Sequence, residues 1–199
     1  MSQQFPPAPD HPDDIARLLE VFICVADLHS AIYLSAPITS GKRLLAQRRD
    51  RLRNSDLADR PKSEFFKQVI SENRHHAVAT AKRLRDAFPS VVIDPTVLED
   101  IPGWTQCDYR DFWGRVIERY ARKVVLADDW QYSSGCSYEF LVASRNGIAT
   151  LDERFQPLSR TAGLLLITEA INDIRAADSS TDFLEGVREQ LEHLRQKAV

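Results

Sequence analysis

The chain has 199 residues, of which 43% are hydrophobic and 28% charged, and its formal net charge is -3. This composition is typical of a one-domain globular protein with a substantial core. The slightly acidic balance argues against a protein whose partner is a nucleic acid polymer. Three widely spaced cysteines favour neither a disulfide framework nor a zinc site, so we expect reduced thiols and a cytoplasmic protein.

The composition of individual segments indicates which are flexible and which partners they could bind. Residues 1–13 are rich in proline and lack the basic and apolar regions of a signal peptide, so we predict a flexible lead-in. No apolar run approaches the roughly 18 residues of a membrane span, and we expect no membrane partner. Basic residues cluster at 41–53, which favours a solvated face over a phosphate-binding patch, and the wider segment 43–60 is an arginine-rich insertion to which the sequence assigns no role.

The first half of the chain predicts two helices and two strands. Helical spacing of apolar residues begins at Ile15, and the apolar run at 31–38 predicts a buried strand that breaks into a loop. A polar, irregular excursion covers 41–61, and a long helix covers 62–88, after which Pro89 ends it. Residues 91–95 predict the second strand. The core-facing stripe of the long helix is predicted as Phe66, Val69, Ile70, Ala77, Ala81, Leu84 and Phe88.

The second half continues the alternation of helices and strands. Strands are predicted at 123–129 and 148–153, and helices at 107–122, around Glu139, at 161–174 and at 181–196. Such alternation indicates an α/β domain, a Rossmann- or flavodoxin-like parallel sheet with helices on both faces. We place this domain at 14–155, followed at 156–199 by a helical extension that packs on the domain or on a dimer partner.

Three polar loops follow the predicted strands. They read "SAPITSGKR", "DPTVLED" and "DDWQYSSGC" in chain order. In parallel sheets ligands bind beyond the carboxyl ends of the strands, so we expect the three loops to converge on one crevice. Asp128 and Asp129 close the third strand, where adjacent side chains point to opposite sides.

Glu139 is the acid that the pattern singles out. It lies in the first turns of a helix, where the helix dipole favours an ionised carboxylate, and the alternative is an acid that only complements that dipole. Ser133, Ser134 and Gly135 precede it and leave free backbone N–H groups for an anion, although one of the serines can serve as an N-cap instead.

Other candidate groups lie on the neighbouring elements. Tyr33 lies inside the first strand, where a buried hydroxyl needs a partner, and a carboxylate across the crevice would serve. Asp94 ends the second strand. Of Asp108 and Asp111, one is expected to cap its helix and the other to face the crevice as a proton donor. His75 and His76 have no ligand-spaced partner and are assigned to the surface.

Two motifs carry a resemblance to a known family. The first is "IYLSAPITSGKR" at 32–43, and the second is "DWQYSSGCSYEF" at 129–140, which continues into "ASRNGIA" at 143–149. Together they resemble the nucleoside 2-deoxyribosyltransferase superfamily, which includes the 2'-deoxynucleoside 5'-phosphate N-hydrolases. The resemblance covers roughly residues 31–153 and leaves both ends outside it.

This resemblance implies a set of functional residues. Glu139 would be the nucleophile that attacks the anomeric carbon of a nucleoside, Tyr33 would orient it, and Asp111 would act as an acid near the leaving base. Members are usually homodimers. The substrate-binding set, taken from the loops at the strand ends, is Ser35, Pro37, Ile38, Thr39, Ser40, Lys42, Arg43, Asp94, Trp130, Ser133, Ser134 and Gly135.

The chemistry of glycosidic cleavage is consistent with these residues. A carboxylate can trap the oxocarbenium-like centre, and water or a second base can resolve the glycosyl-enzyme. No metal or other cofactor is required. We expect hydrolysis of a nucleoside 5'-monophosphate, because the loops carry many anion donors. The alternatives are transfer of deoxyribose between bases and a nucleotide-binding sensor without turnover.

Overall fold

A computed structural model describes residues 5–46, 62–98 and 100–196 of the chain. Its centre is a four-stranded sheet in the order β2-β1-β3-β4, with every neighbouring pair parallel. The strands are β1 (Ala31–Ser35), β2 (Val92–Ile93), β3 (Ala121–Leu126) and β4 (Ala149–Leu151). The predicted parallel α/β sheet is therefore confirmed, with its strands close to the predicted positions.

Six long helices surround this sheet. None of them, within the described ranges, is long and apolar enough to cross a membrane. Residues 42–46 are also helical, while the arginine-rich segment beyond them, at 47–61, lies outside the described residues. The six helices are α1 (Pro12–Phe22), α2 (Lys62–Ala87), α3 (Gln106–Tyr120), α4 (Ser134–Arg145), α5 (Arg160–Arg175) and α6 (Asp182–Gln196).

Helices cover both faces of the sheet, as predicted. Ile32 and Leu34 of β1 pack with Ala81 and Leu84 of α2 in one buried cluster. Tyr33, between them in the strand, points to the opposite face and belongs to the larger cluster with residues of α1, α3, α4, α5 and α6. The alternation of β1 therefore places the Tyr33 side chain on the face that carries α4.

Two predicted details are wrong. The helix predicted at 107–122 ends at Tyr120, because Ala121 already pairs with Ala31 in the parallel ladder and so begins β3. Phe66, predicted in the core-facing stripe of α2, is 39% exposed, whereas Val69 one turn further along the helix is buried.

Both ends of the described chain contact the domain. The Phe5 ring lies 5.0 Å from that of Phe183, and the His11 backbone N–H donates to Asp108 Oδ1 at 2.7 Å. Residues 5–11 of the predicted lead-in are thus in contact with α3 and α6. Leu184 and Val187 of α6 lie in the larger cluster, so the C-terminal extension packs on its own domain.

The loop after β1 is held in place by a side chain of α2. The Asn73 amide Nδ2 donates to the carbonyl oxygens of Ile38 and Ser40, both at 2.9 Å. Gly41 follows with φ +113°, a conformation that residues with a side chain rarely adopt. The loop that the resemblance assigns to substrate therefore has a defined course as far as residue 46.

The contact between α5 and α4 yields a stability prediction. A Cβ added at Gly163 would lie 2.2 Å from the Phe140 ring, which is fully buried. We therefore expect Gly163→Ala to lower the free energy of unfolding by about 1–3 kcal/mol through overpacking, as measured by urea denaturation. Helix propensity alone would instead raise it by about 1 kcal/mol, and such a gain would contradict the packing described here.

Candidate functional site

The centre of the candidate site is a hydrogen bond between β1 and α4. The Tyr33 hydroxyl donates to Glu139 Oε1 at 2.6 Å, across 106 positions of sequence. Tyr33 is fully buried, and the Trp113 ring of α3 lies edge-on to it with 6.0 Å between centroids. The predicted carboxylate partner of Tyr33 is therefore Glu139, which lies in the second turn of its helix.

Two further buried polar groups lie near this pair. The Ser35 hydroxyl is close enough to Glu139 to stabilise its carboxylate, although it makes no hydrogen bond of standard geometry with the described residues, and Asp94 Oδ2 accepts none from them. The other oxygen of Asp94, Oδ1, accepts from the backbone N–H and the hydroxyl of Thr96 at 3.0 and 2.6 Å. Buried polar atoms without partners are uncommon and costly, and they concentrate at functional sites.

Burial changes the ionisation of Glu139. It raises the pKa of the carboxyl to about 7, while the nearby hydroxyls of Ser35 and Tyr33 oppose the rise. Desolvation therefore outweighs the helix dipole, which was expected to keep this carboxylate ionised, and the group is only partly ionised at neutral pH. Burial also raises the pKa of Tyr33 well above its usual value, and the charge of Glu139 adds to this, so the phenol remains a donor.

The two aspartates of α3 have different environments. Asp108 is the capping residue: its Oδ2 accepts from the backbone N–H and the hydroxyl of Thr105, both at 2.8 Å. These bonds and those from His11 hold the pKa of Asp108 well below its usual value despite its burial. Asp111 forms an ion pair with Arg115 at 2.9 Å and makes no hydrogen bond with Glu139.

At the start of α4, one backbone N–H group has a hydrogen-bond partner and two have none among the described residues. Ser133 is the N-cap, and its hydroxyl accepts from the Cys136 backbone N–H at 3.4 Å, which confirms that one of the two serines caps the helix. The backbone N–H groups of Ser134 and Gly135 make no hydrogen bond with the described residues. They leave the positive end of the helix open to an anion.

Two cavities border the β1 loop, and the smaller one, of about 240 Å³, lies beside the start of α4. Thr39 and Ser40 of the β1 loop face Ser134 across it. Leu44, Leu45 and Tyr132 also line it, and the C-terminal extension adds residues that include Thr181 and Phe183. This part of the site therefore uses residues outside the region that carries the family resemblance.

A larger cavity of about 420 Å³ lies on the other side of the same loop. Pro37, Lys42, Arg43 and Trp130 line it, together with Asn73 and His76 of α2 and several apolar residues. Gly41 borders both cavities. The expectation that three loops converge on one crevice is therefore wrong: the loops after β1 and β3 line both cavities, whereas no described residue of the loop after β2, including Asp94, lines either. Glu139 also lines neither of the two cavities.

Residues 128–130 also differ from expectation. Asp128 and Asp129 both line the larger cavity and do not point to opposite sides, because β3 ends at Leu126 and Asp129 adopts φ +65°. Trp130 is buried, and its ring packs on Phe140 with 4.8 Å between centroids. Its main contacts therefore belong to the core.

Sequence reasoning missed Glu153, which is buried after β4. Its carboxylate accepts from His76 Nε2 at 2.8 Å, from the Asp128 backbone N–H at 2.7 Å, and from Arg83 and Thr80. It thereby joins α2 to the loop after β3. An acid at the end of a predicted strand was the available signal. Asn73, also missed, carried no local signal, since its partners are backbone atoms of a distant loop.

Within the described ranges, no three side chains of the metal-ligating types lie close enough together to hold an ion. His75 is exposed and its Nδ1 lies 2.7 Å from the Ser71 carbonyl, whereas His76 pairs with Glu153. The surface assignment of His76 is therefore only partly right, because its ring also ties α2 to a buried acid.

Comparison of the chain with protein-family models, curated proteins and solved structures found no match in any of the three.

The raised pKa of Glu139 gives a prediction about stability. A folded-state pKa of about 7, above the ordinary 4.5, means that the folded protein loses stability as pH rises from about 4.5 to 7. Glu139→Gln keeps an acceptor for Tyr33 and does not titrate. We therefore expect its free energy of unfolding to match the wild type near pH 5 and to exceed it by about 2–3 kcal/mol at pH 8.

Urea denaturation of both proteins across this pH range measures the difference. Glu169→Gln, at an exposed position of α5, is the control and should follow the wild type at every pH. A Glu139→Gln difference that does not change between pH 5 and pH 8 would contradict the burial of this carboxylate.

Proposed function

We propose that the protein cleaves the N-glycosidic bond of a nucleoside 5'-monophosphate or nucleoside, with Glu139 as nucleophile. The observation that carries this proposal is the hydrogen bond of 2.6 Å between Tyr33, in the middle of β1, and Glu139, in the second turn of α4. The resemblance to the nucleoside 2-deoxyribosyltransferase superfamily, which implied these two roles, supports the same assignment. The protein's partner would then be a small molecule.

The proposed reaction has two steps. A Glu139 carboxylate oxygen forms a bond to the anomeric carbon while the bond to the base nitrogen breaks, and its electron pair leaves with the base, which takes up a proton. Water then attacks the anomeric carbon, displaces the carboxylate and releases its proton to solvent or to a nearby base. If a second base enters in place of water, deoxyribose is transferred between bases.

Tyr33 contributes orientation and charge stabilisation. Its hydroxyl engages one carboxylate oxygen and leaves the other for the anomeric carbon. Because the raised pKa of Tyr33 keeps its proton in place, the phenol donates to the carboxylate throughout the reaction. A hydrogen bond to an ionised carboxylate is worth about 1.5–3 kcal/mol, which is the scale of its expected effect on rate.

The unpartnered Asp94 Oδ2 supports a polar sugar in this site, because a hydroxyl of the substrate would supply the donor that it lacks. This atom is closed to solvent, so binding would have to open the site. The role of Asp111 as the acid near the leaving base stays a prediction. Its carboxylate forms an ion pair with Arg115 and makes no hydrogen bond with Glu139.

The preference for a monophosphate is supported by the smaller cavity. The open N–H group of Ser134 and the hydroxyls of Thr39 and Ser40, which line this cavity, are neutral donors suited to a phosphate. The resemblance further implies a homodimer, and the three scattered cysteines favour a cytoplasmic enzyme. Sedimentation of the purified chain measures the oligomeric state.

Chromatographic product analysis tests the proposal. We would incubate the protein with the common nucleosides and their 5'-monophosphates, with and without a second free base. Glu139→Gln should reduce release of free base by at least about 10³-fold, as expected for loss of a nucleophile. Tyr33→Phe should reduce it by about 10–100-fold. The exposed Glu169→Gln variant should retain the wild-type rate.

The outcomes separate the alternatives. Base released only when a second base is present, with appearance of a new nucleoside, identifies transfer. No release from any compound, combined with tight binding of one of them by the wild type and Glu139→Gln alike, would overturn the enzyme and favour a nucleotide-binding sensor.

The pKa of Glu139 also sets the expected pH dependence of the rate. The nucleophile must be ionised, so kcat/KM should rise about tenfold per pH unit below about pH 7 and level off above it. The profile is measured with the best substrate of the panel in buffers of constant ionic strength. A rate independent of pH between 5 and 8 would contradict a nucleophile with this pKa.

A further inference from the structure

The C-terminal extension supplies much of the wall of the smaller cavity. Ile174 of α5, Ser180 and Thr181 of the turn that follows, and Phe183 and Leu184 of α6 all line it. The family resemblance covers the chain only as far as about residue 153, so it assigns no role to these residues. The wall is therefore a feature of this chain that the resemblance does not account for.

The extension forms a fixed wall. The Arg175 guanidinium at the end of α5 donates to Glu185 Oε1 of α6 at 2.7 Å, and the Thr181 hydroxyl donates to the same oxygen. Ile171 of α5 and Val187 of α6 are fully buried in the larger cluster. These contacts hold the α5–α6 turn against the domain, so its side of the cavity is preorganised.

One hydrogen bond joins this wall to the segment that leads into α4. The Tyr132 hydroxyl donates to Asp173 Oδ2 of α5 at 2.6 Å, across 41 positions of sequence. Tyr132 itself lines the cavity, and the next residue, Ser133, is the N-cap of α4. Ser134, which follows, lines the cavity as well. The bond therefore ties the extension to the side of the cavity that carries the start of α4.

The lining of this cavity contains no charged side chain among the described residues. A phosphate in it would be held by neutral donors, namely the backbone N–H of Ser134 and the hydroxyls of Thr39 and Ser40. Hydrogen bonds of this kind weaken steeply when the distance or the angle departs from the optimum. Discrimination between a phosphate and a bare hydroxyl therefore depends on the placement of the walls, whereas a lysine or arginine would act over a longer range.

We propose that Asp173 and Tyr132 are positioning residues that set the preference of the site for a nucleoside 5'-monophosphate over the matching nucleoside. Asp173 fixes Tyr132, and Tyr132 fixes the start of α4 at a set separation from the α5–α6 turn. This role rests on the proposed function, since the smaller cavity is taken as the part of the site that receives the 5' end of the substrate. The C-terminal extension, which the resemblance leaves out, thereby becomes a determinant of substrate specificity.

Titration calorimetry in the Glu139→Gln background tests these roles, because it needs no turnover. The probes are the four common nucleoside 5'-monophosphates and the four matching nucleosides. Tyr132→Phe and Asp173→Ala should each raise the Kd of the bound monophosphate by about 3–10-fold, the scale of one hydrogen bond, and leave the Kd of its nucleoside unchanged. Asp173→Asn keeps an acceptor for Tyr132 and should retain the preference.

Three further variants separate positioning from a general loss of stability. Tyr132→Phe combined with Asp173→Ala should cost no more affinity than either change alone, because both break the same bond. Tyr120→Phe removes a buried hydroxyl that donates to the Leu19 carbonyl at 3.3 Å, at the amino end of the sheet. Asn172→Ala changes the exposed neighbour of Asp173. Each of these last two changes should leave both Kd values unchanged.

The results distinguish this proposal from the glycosidic one. An equal change in both Kd values, an unchanged ratio of the two in Tyr132→Phe, additive losses in the double variant, or no binding of any probe would overturn the positioning role. Failure of the glycosidic proposal appears in product analysis instead, as base release that Glu139→Gln does not affect or as no release at all, while the calorimetric preference still responds to Tyr132→Phe.

Discussion

The fold places one largely buried carboxylate against one buried phenol, and the rest of the candidate site is arranged around that hydrogen bond. Tyr33 reaches Glu139 because β1 lies inside the sheet and turns alternate side chains to the face that carries α4. The same burial that raises the pKa of Glu139 to about 7 makes the charged form costly. A carboxylate held in this way is partly deprotonated at neutral pH and weakly solvated, which is consistent with the nucleophile role that we propose for it.

The loop after β1 is the second organising feature. Asn73 fixes its carbonyl groups from α2, and the positive φ of Gly41 turns it between the two cavities. On one side lie neutral hydroxyls and the open start of α4, and on the other lie Lys42 and Arg43. The anion donors expected to act together are therefore separated into a neutral set and a cationic set.

Much of the fold was predictable from the sequence, because it depends on local patterns. Alternating apolar runs and helical periods gave the parallel sheet, and a capping serine preceded α4. The boundary at Ala121 was missed because the strand partner Ala31, and not local propensity, decides it. The ionisation of Glu139 was misjudged because desolvation depends on packing that comes from distant segments.

The Tyr33–Glu139 pair was accessible only through the family resemblance, because the residues alone indicated no more than that a buried phenol needs a partner. The roles of Glu153 and Asn73 could not be predicted from the sequence. The partners of Glu153 lie 25 to 77 positions away and those of Asn73 lie 33 to 35 positions away, so neither residue leaves a periodic signal. The hydrogen bonds from Asn73 also fix the β1 loop, which borders both cavities. The presence of two cavities could therefore not be predicted from the loop sequences alone.

Attack by Glu139 on the anomeric carbon is the central claim, and peptide mass spectrometry after rapid acid quench tests it most directly. With a substrate from which base is released, a sugar or sugar-phosphate adduct should appear on the peptide that carries Glu139 and be absent from Glu139→Gln. An adduct on a different residue, or wild-type release of base by Glu139→Gln, would contradict the claim.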